Sequence, residues 1–502
     1  MNRKRLRAKL ITIPWELEVP TLSLASLAAV TPPQIEVCIV DLLRERLVLD
    51  EPVDLVGISA STPRINAAYA LARRYRERGV TVVIGGHHVT ALPDEGLEHA
   101  DAVVCGEGEA TWRQICEQML VDPQKVRGVY RGEPDLDGLP LPRTDLMKLR
   151  RYQAYYYPVI ATRGCSESCS FCFAKRMTRG YRAHPIRYVL EQIRRRPRWV
   201  KAMYFVDDNL AADLDYTRAL FSELSKDPFP FGMQVRHEFS QDPDNIELAR
   251  RAGCILISSG YESLNQRSLD GTGKRATASY YREIVERIQS AGIIASGNWM
   301  FGFDWDEPEL FEATWEFLRD SAMMHSSFTV EIPFPGTPGH RRYRREGRLL
   351  TEDYDRYTGR DSVVHRPARM TPEQLADGVR WLTLQYHSMR HRTRLARAAW
   401  RNPRMFAELP PHKRALYIGV LNYFQVWQWR YRMTPSIASL YGRLAPLYKY
   451  RYAGDLLRGT NFWSQREQLA DERAVALSTS SPFAERAGAM GPGRGKRLQP
   501  SA

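Results

Sequence analysis

Short apolar runs alternate with helix-period stretches twice along this 502-residue chain, once on each side of a stretch rich in Pro, Gly and Asp. That double alternation is what most limits the folds open to it. Before the break, Leu10–Ile13, Val37–Val40, Leu55–Ser59, Val80–Gly85 and Ala102–Val104 read as buried parallel strands, because each is a continuous apolar run. Thr62 and Pro63 read as an N-cap and first helical position. Ala67, Ala70, Leu71 and Tyr75 follow at helical spacing, and Gly79 supplies the stop. The pattern predicts a doubly wound, Rossmann-like α/β domain whose ligands sit at the carboxyl ends of its strands. Those ends carry Ser59-Ala-Ser-Thr62, Gly85-Gly-His-His-Val-Thr90 and Gly106-Glu-Gly-Glu109. Small and Gly-rich ends let a large flat ligand approach the backbone, which makes Ser61, Thr62, Gly85, Gly86, Gly106 and Glu107 candidate binding residues. Such ends also occur in similar domains that bind nothing.

The break spans residues 115–150 and includes Gly132-Glu-Pro-Asp-Leu-Asp-Gly-Leu-Pro-Leu-Pro142, a composition typical of a domain boundary. The alternation restarts with Tyr157–Thr162, Ala202–Val206, Met233–Phe239, Ile255–Ser258, Ser296–Phe303 and Phe328–Ile332, each trailed by a helical stretch. Six such units predict a partial (β/α)6 barrel, open on one side, with its chemistry at the carboxyl ends of the strands. Beyond Thr371, helical periodicity runs to about residue 470, and the Ser-, Gly- and Pro-rich stretch 478–502 reads as disordered. The expected organisation is 1–140, 150–350, a helical region at 351–475 and a tail at 476–502.

The loop after the first barrel strand carries Arg163-Gly-Cys-Ser-Glu-Ser-Cys-Ser-Phe-Cys-Phe173. Cys165, Cys169 and Cys172, spaced C-x3-C-x2-C, can hold three irons of a four-iron, four-sulfur cluster and leave the fourth iron open to a ligand. A structural zinc site would call for a fourth Cys or His nearby, and none lies within ten residues on either side. Further strand ends carry polar groups. Asp207-Asp208-Asn209 follows the second barrel strand, where carboxylates suit either an ammonium ligand or a helix N-cap. Glu262, in Gly260-Tyr-Glu262-Ser263, leaves a buried strand where a carboxylate needs a partner, either ligand hydroxyls or a neighbouring Arg. Arg236 suits a ligand carboxylate or a structural ion pair equally.

The cysteine spacing, with Phe171 just before the last cysteine, resembles the signature of radical S-adenosylmethionine (SAM) enzymes. The resemblance implies that SAM chelates the open iron. It also implies that Phe171 lies near the adenine, that Asp207 and Asp208 hold the SAM amino group, and that Glu262 holds the ribose. Gly297-Asn-Trp-Met-Phe-Gly-Phe303 and Pro333-Phe-Pro-Gly-Thr-Pro338 resemble the adenine-side elements. The first 120 residues resemble the cobalamin-binding domain that precedes many radical SAM domains. This second resemblance rests on Thr31-Pro32, Asp41, the Gly-Gly-His-His-Val-Thr segment and Gly106-Glu-Gly-Glu109. No Asp-x-His-x-x-Gly motif occurs, and His87 and His88 lie on another loop, which implies a cobalt without a protein imidazole. The helical region resembles the extension found in the branch that includes hopanoid C-2 methylases. Together these imply a C-methyltransferase with a 4Fe-4S cluster, SAM and cobalamin. In that chemistry SAM cleavage yields a 5′-deoxyadenosyl radical, which abstracts hydrogen from an unactivated carbon that then takes a methyl group from the cobalamin. The resemblance further implies an external electron donor such as flavodoxin or ferredoxin. A radical cyclase or rearrangement enzyme with the same cofactors is the alternative.

Composition narrows the remaining classes. A tRNA methylthiotransferase would need a second cysteine triad, for which Cys38, Cys105 and Cys116 are badly spaced, and a non-enzymatic cobalamin sensor would not need the first. Seven cysteines, three of them in the triad, read as reduced thiols of a cytoplasmic protein rather than a disulfide framework. No signal peptide is legible, and no apolar run approaches the ~20 residues needed to cross a bilayer. The net charge of +14 comes from arginines spread over amphipathic helices, so no nucleic-acid partner is expected. Tyr423-Phe-Gln-Val-Trp-Gln-Trp-Arg-Tyr-Arg432 suits either a helix core or weak membrane contact. The substrate class, small molecule or lipid, stays open at this stage.

Overall fold

The computed structural model describes residues 5–419, apart from 14–19, 43, 153–155, 360–361, 408–409, 413 and 416–417. The expectations for Tyr423–Arg432 and for the tail at 476–502 lie outside the described residues.

Strands β1 (Leu6–Ile13), β2 (Ile35–Asp41), β3 (Leu55–Ala60), β4 (Thr81–Gly85), β5 (Ala102–Cys105) and β6 (Gly128–Arg131) form one parallel sheet in the order β2-β1-β3-β4-β5-β6. Neighbouring residues of a strand serve opposite faces. Ile11, Ile58 and Ile84 pack on Ala68, Ala72 and Tyr75 of the helix Ile65–Arg76. On the other face Leu10, Leu55 and Val83 pack on Leu24 and on Trp112 and Ile115 of the helix Glu109–Val121. Both faces are covered, as continuous apolar runs require. The order reverses at β1, and the cleft of such a sheet opens over that reversal. Pro63 opens a single 3₁₀ turn, Thr62–Arg64, before the helix proper begins at Ile65.

One strand was missed. β6 lies inside the stretch read as a boundary, and its four residues, Gly-Val-Tyr-Arg, are too few to show a period. The helix Glu109–Val121 also reaches into that stretch.

The second half begins with β7 (Tyr156–Val159) and a short antiparallel ribbon of β8 (Thr162–Arg163) with β9 (Arg182–Ala183). β10 (Ala202–Phe205), β11 (Phe231–Gln234), β12 (Cys254–Glu262), β13 (Ile294–Phe301) and β14 (His325–Val330) follow. Together with β7 they form a second parallel sheet, β14-β13-β12-β11-β10-β7, whose two edge strands are its first and last members, so the barrel is partial. Its outer face is apolar, with Phe205, Phe231, Ile257, Trp299 and Phe301 in one core with Phe221, Ile284 and Phe317 of the surrounding helices. Trp299 is 1% exposed, and truncating a buried Trp to Ala costs about 3–5 kcal/mol.

The third barrel strand stops at Gln234 rather than Phe239. Asn209 Oδ1 accepts the Arg236 N–H at 3.2 Å, and a 3₁₀ stretch, His237–Gln241, takes over. The fourth strand runs further than its apolar segment, to Glu262. Past the barrel, Thr371 caps the helix Pro372–Tyr386 in a capping box with Gln374. Leu375, Val379 and Leu382 of this helix join the barrel core. The next helix, Met389–Arg401, places Ala399 with Ile294, Leu256, Met405 and Ile418, an apolar floor beneath the strands.

Candidate active site

The cysteine loop is fixed at both ends by the chain's own polar groups. Asp207, fully buried just after β10, accepts from Ala161 N at 3.1 Å, from Thr162 Oγ1 at 2.6 Å and from Thr162 N. Burial pushes its carboxyl up to about 7 against the pull of these donors. Gly164 then turns the chain at φ +75°, where a Cβ would lie 2.1 Å from Thr178 Oγ1 and 2.4 Å from Gly180 O. Ser170 anchors the middle of the loop: its N–H donates to Thr272 O at 2.8 Å and its carbonyl accepts from Gly339 N at 2.9 Å. Cys165 and Cys169 are half-buried and Cys172 is exposed. Asn209 Nδ2 lies 4.0 Å from Cys165 Sγ.

Arg163, immediately before Gly164, ties this loop to the first sheet. Its guanidinium lies 2.8 Å from Glu109 and 3.5 Å from Glu107, while Arg182, its cross-strand neighbour on β9, also pairs with Glu107. Two like charges directly opposite repel, and the Glu107 carboxylate between them offsets that. Burial still raises the Glu107 pKa despite both arginines. His184 beside them is pushed down to about 3 by burial and then by Arg163, so it is neutral, and its Nε2 accepts from Arg163 Nε at 3.4 Å. Phe173 lies edge-on to His87, at the end of β4, with ring centroids 5.3 Å apart. The carboxyl ends of the two sheets therefore meet at the cysteine loop.

Several candidate residues are committed elsewhere. Glu107 is paired with Arg163 and Arg182, and its Oε1 is buried with no hydrogen-bond partner among the described residues. Asp207 holds the backbone before the cysteines mainly through Oδ1, and the N-cap of the following helix is Asp213, not Asp207 or Asp208. Asp208 is the exposed carboxylate of the pair. Glu262, at φ +57° on the end of β12, pairs with Lys274 Nζ at 2.7 Å, and both are nearly buried. Gly260 makes room for that pair, since a Cβ there would sit 2.1 Å from Glu262 Oε1. Arg236 pairs with Glu238 and lies 3.8 Å from Glu167. Thr62 and His88 face each other at 3.4 Å, and His88 also reaches Glu95 at 3.0 Å. Phe171 remains beside Phe303, their rings 5.7 Å apart. Lys274 carries no local signal in the sequence, and only its pairing with Glu262 marks it.

The Radical SAM superfamily pattern matches residues 159–315, and the B12 binding domain pattern matches residues 8–115. The bacteriochlorophyllide d C-8(2)-methyltransferase of Chlorobaculum tepidum is 27% identical over 361 residues, 68% of this chain and 80% of that protein. The bacteriochlorophyllide d C-12(1)-methyltransferase of the same organism is 30% identical over 315 residues, 61% of this chain and 68% of that protein. The chain belongs to the cobalamin-dependent radical SAM enzymes. The fold agrees: the cobalamin-dependent S-adenosylmethionine radical enzyme OxsB, solved with aqua-cobalamin and S-adenosylmethionine, superposes with a TM-score of 0.59 over 96% of this chain and 83% of that one, at 14% identity.

Enzymes of this family use a 4Fe-4S cluster, SAM and cobalamin, and the residues present fit all three. Among the described residues no three His, Cys, Asp or Glu side chains converge on a point that one metal ion would occupy. A cluster spreads its thiolates, one to each iron, which suits Cys165, Cys169 and Cys172 on an open loop. For cobalamin, Ser61 Oγ at the end of β3 is buried with no hydrogen-bond partner among the described residues. Gly86, at φ +119°, brings bare backbone to the cleft where a Cβ would strike Ala60 O at 2.3 Å. Thr90 Oγ1 pins that turn by donating to Gly86 O at 2.8 Å and accepting from Gly106 N at 3.0 Å. Gly85 beside it is half-buried. His88 is taken by Glu95 and Thr62, which fits a cobalt without that imidazole. For SAM, Phe171, Phe303 and Asp208 remain at the mouth.

Proposed function

We propose that this enzyme transfers a methyl group to an unactivated carbon of a small molecule. One observation carries the reading: Phe173 of the cysteine loop packs against His87 at the cobalamin-side strand ends, so both cofactor sites open on one space. When bound, the cluster with SAM supplies hydrogen abstraction and cobalamin supplies the methyl group. The chain's own task is placement. Arg163, Glu107 and Glu109 hold the cysteine loop against the first sheet, and Asp207 and Ser170 fix its path. The apolar floor at Leu256, Ile294 and Met405 lies at the far end of the barrel and helps keep water from that side.

Cys165, Cys169 and Cys172 hold the cluster, and Phe171 lies along the adenine. Lys175, Arg176 and Arg179 stand exposed beside the loop and suit docking of an acidic electron donor such as flavodoxin or ferredoxin. All seven cysteines are free thiols, which supports a reducing, cytoplasmic setting. No helix among the described residues is long and apolar enough to cross a membrane.

The test is anaerobic turnover of the reconstituted enzyme with SAM carrying a trideuterated methyl group. The expected result is 5′-deoxyadenosine together with a product that has gained the deuterated methyl. 5′-Deoxyadenosine with a product of unlabelled mass would make the chain a cyclase or rearrangement enzyme instead.

A further inference from the structure

The inner face of the partial barrel is polar, which is unusual for a barrel interior, where branched apolar side chains dominate. Burial alternates along β14 and along β13 from Asn298 onward, with Trp299, Phe301, Phe328 and Val330 buried outward and Asn298, Met300, Ser327 and Thr329 half-exposed inward. The inward groups form a lateral hydrogen-bonded ladder. Ser327 Oγ donates to Asn298 Oδ1 at 2.8 Å, Asn298 Nδ2 donates to Ser258 Oγ at 3.2 Å, and Tyr204 on β10 faces Ser258. Gly232 leaves the Tyr204 ring free to lie across β11, since a Cβ there would be 2.8 Å from it. One layer lower, Ser296 Oγ meets His325 Nδ1 at 2.7 Å, and burial holds that imidazole neutral, at about 4. Below this ladder lie Leu256 and Ile294 of the floor, and above it Glu262 and Lys274 neutralise each other.

The ladder is thus polar and uncharged. An amide has two donors and two acceptor sites, and Asn298 spends one of each on the ladder, leaving an N–H and a lone pair for something in the lumen. A hydrocarbon scaffold there would strip water from these groups and return nothing, and an ionic group set against the ladder would meet no counter-charge on it. We propose that the lumen binds an uncharged scaffold bearing hydroxyl or amide groups, with Asn298 as the group that selects it, and that the substrate is not a hydrocarbon lipid. This rests on the methyl-transfer reading for the reaction but not for the binding.

The probes are two phases of a host metabolite extract, one partitioned into chloroform and one into aqueous methanol. Each is given to the full-length reconstituted enzyme with deuteriomethyl-SAM and reductant. The aqueous-methanol phase should stimulate 5′-deoxyadenosine formation, and the label should appear in one of its compounds. Asn298→Leu should lower that stimulation about tenfold, the scale of one lost hydrogen bond, with iron and corrinoid content unchanged. Ser327→Ala, a smaller change, should lower it in the same direction should the Leu variant lose its cofactors. Stimulation by the chloroform phase, by neither phase, or equally in both variants would overturn the assignment. Stimulation by the aqueous phase without label transfer would defeat the methyl-transfer reading and leave the lumen assignment standing.

Discussion

Asp207 stands where a carboxylate could meet an ammonium group, yet its strong hydrogen bonds, from Thr162 N, Thr162 Oγ1 and Ala161 N, all fall on Oδ1. Asp207→Asn keeps that oxygen and removes the charge. Burial pushes the carboxyl up to about 7, above the ordinary ~3.9. Its contribution to stability is therefore complete below the unfolded pKa and lost as pH rises through the folded one. Melting of the Asn variant should fall less than that of the parent between about pH 5 and pH 8, and SAM affinity should stay within about twofold. A large loss of SAM binding with melting unchanged would return Asp207 to the SAM site. Glu262 makes the converse case. Removing its charge by Glu262→Gln leaves Lys274 buried and unpaired, at a cost of roughly 3–5 kcal/mol. Adding Lys274→Met should recover much of that in a denaturation experiment. Equal stability of the parent and the Gln variant would mean that the pair does not form in solution.

At the scale of elements, the cysteine loop depends on the turn at Gly164. An Ala there meets a left-handed φ and a backbone carbonyl 2.4 Å away, so Gly164→Ala should lose most bound iron, as Cys169→Ala should. Cys38→Ala, on β2 of the other sheet, should keep its iron. A full iron complement in Gly164→Ala would show that the loop is not shaped by this turn. The strands themselves were legible because a parallel strand buried on both faces is a continuous apolar run, as in Leu55–Ala60. The four-residue β6 had no run to show. The end of β11 was set by Asn209, a residue of another strand end, against the apolar pull of Val235 and Phe239. The same limit applied to the site. Three cysteines in eight residues are a local signal, whereas the partners that occupy Asp207, Glu107 and Glu262 lie 45, 75 and 12 residues away along the chain. Only the fold brings them together.

At the scale of the whole molecule, the first sheet and the barrel are joined at the charge cluster of Arg163, Arg182, Glu107 and Glu109, placed just before the cysteines. Glu107→Gln should destabilise by on the order of 2 kcal/mol, less than the full loss of a buried pair because Arg163 keeps Glu109. Iron content should survive while turnover falls, because the loop is formed but no longer held against the first sheet. Parent-like turnover in this variant would mean that the junction plays no part in placement. The central claim is that cluster and cobalamin serve one shared opening, and it is tested most directly by electron paramagnetic resonance. The protein is reduced so that it holds both a paramagnetic cluster and cob(II)alamin. The cob(II)alamin signal should relax faster in the parent than in Cys165→Ala, which lacks the cluster, because neighbouring spins couple. Identical relaxation in the two proteins, each with full cobalamin content, would place the cofactors apart and contradict the reading.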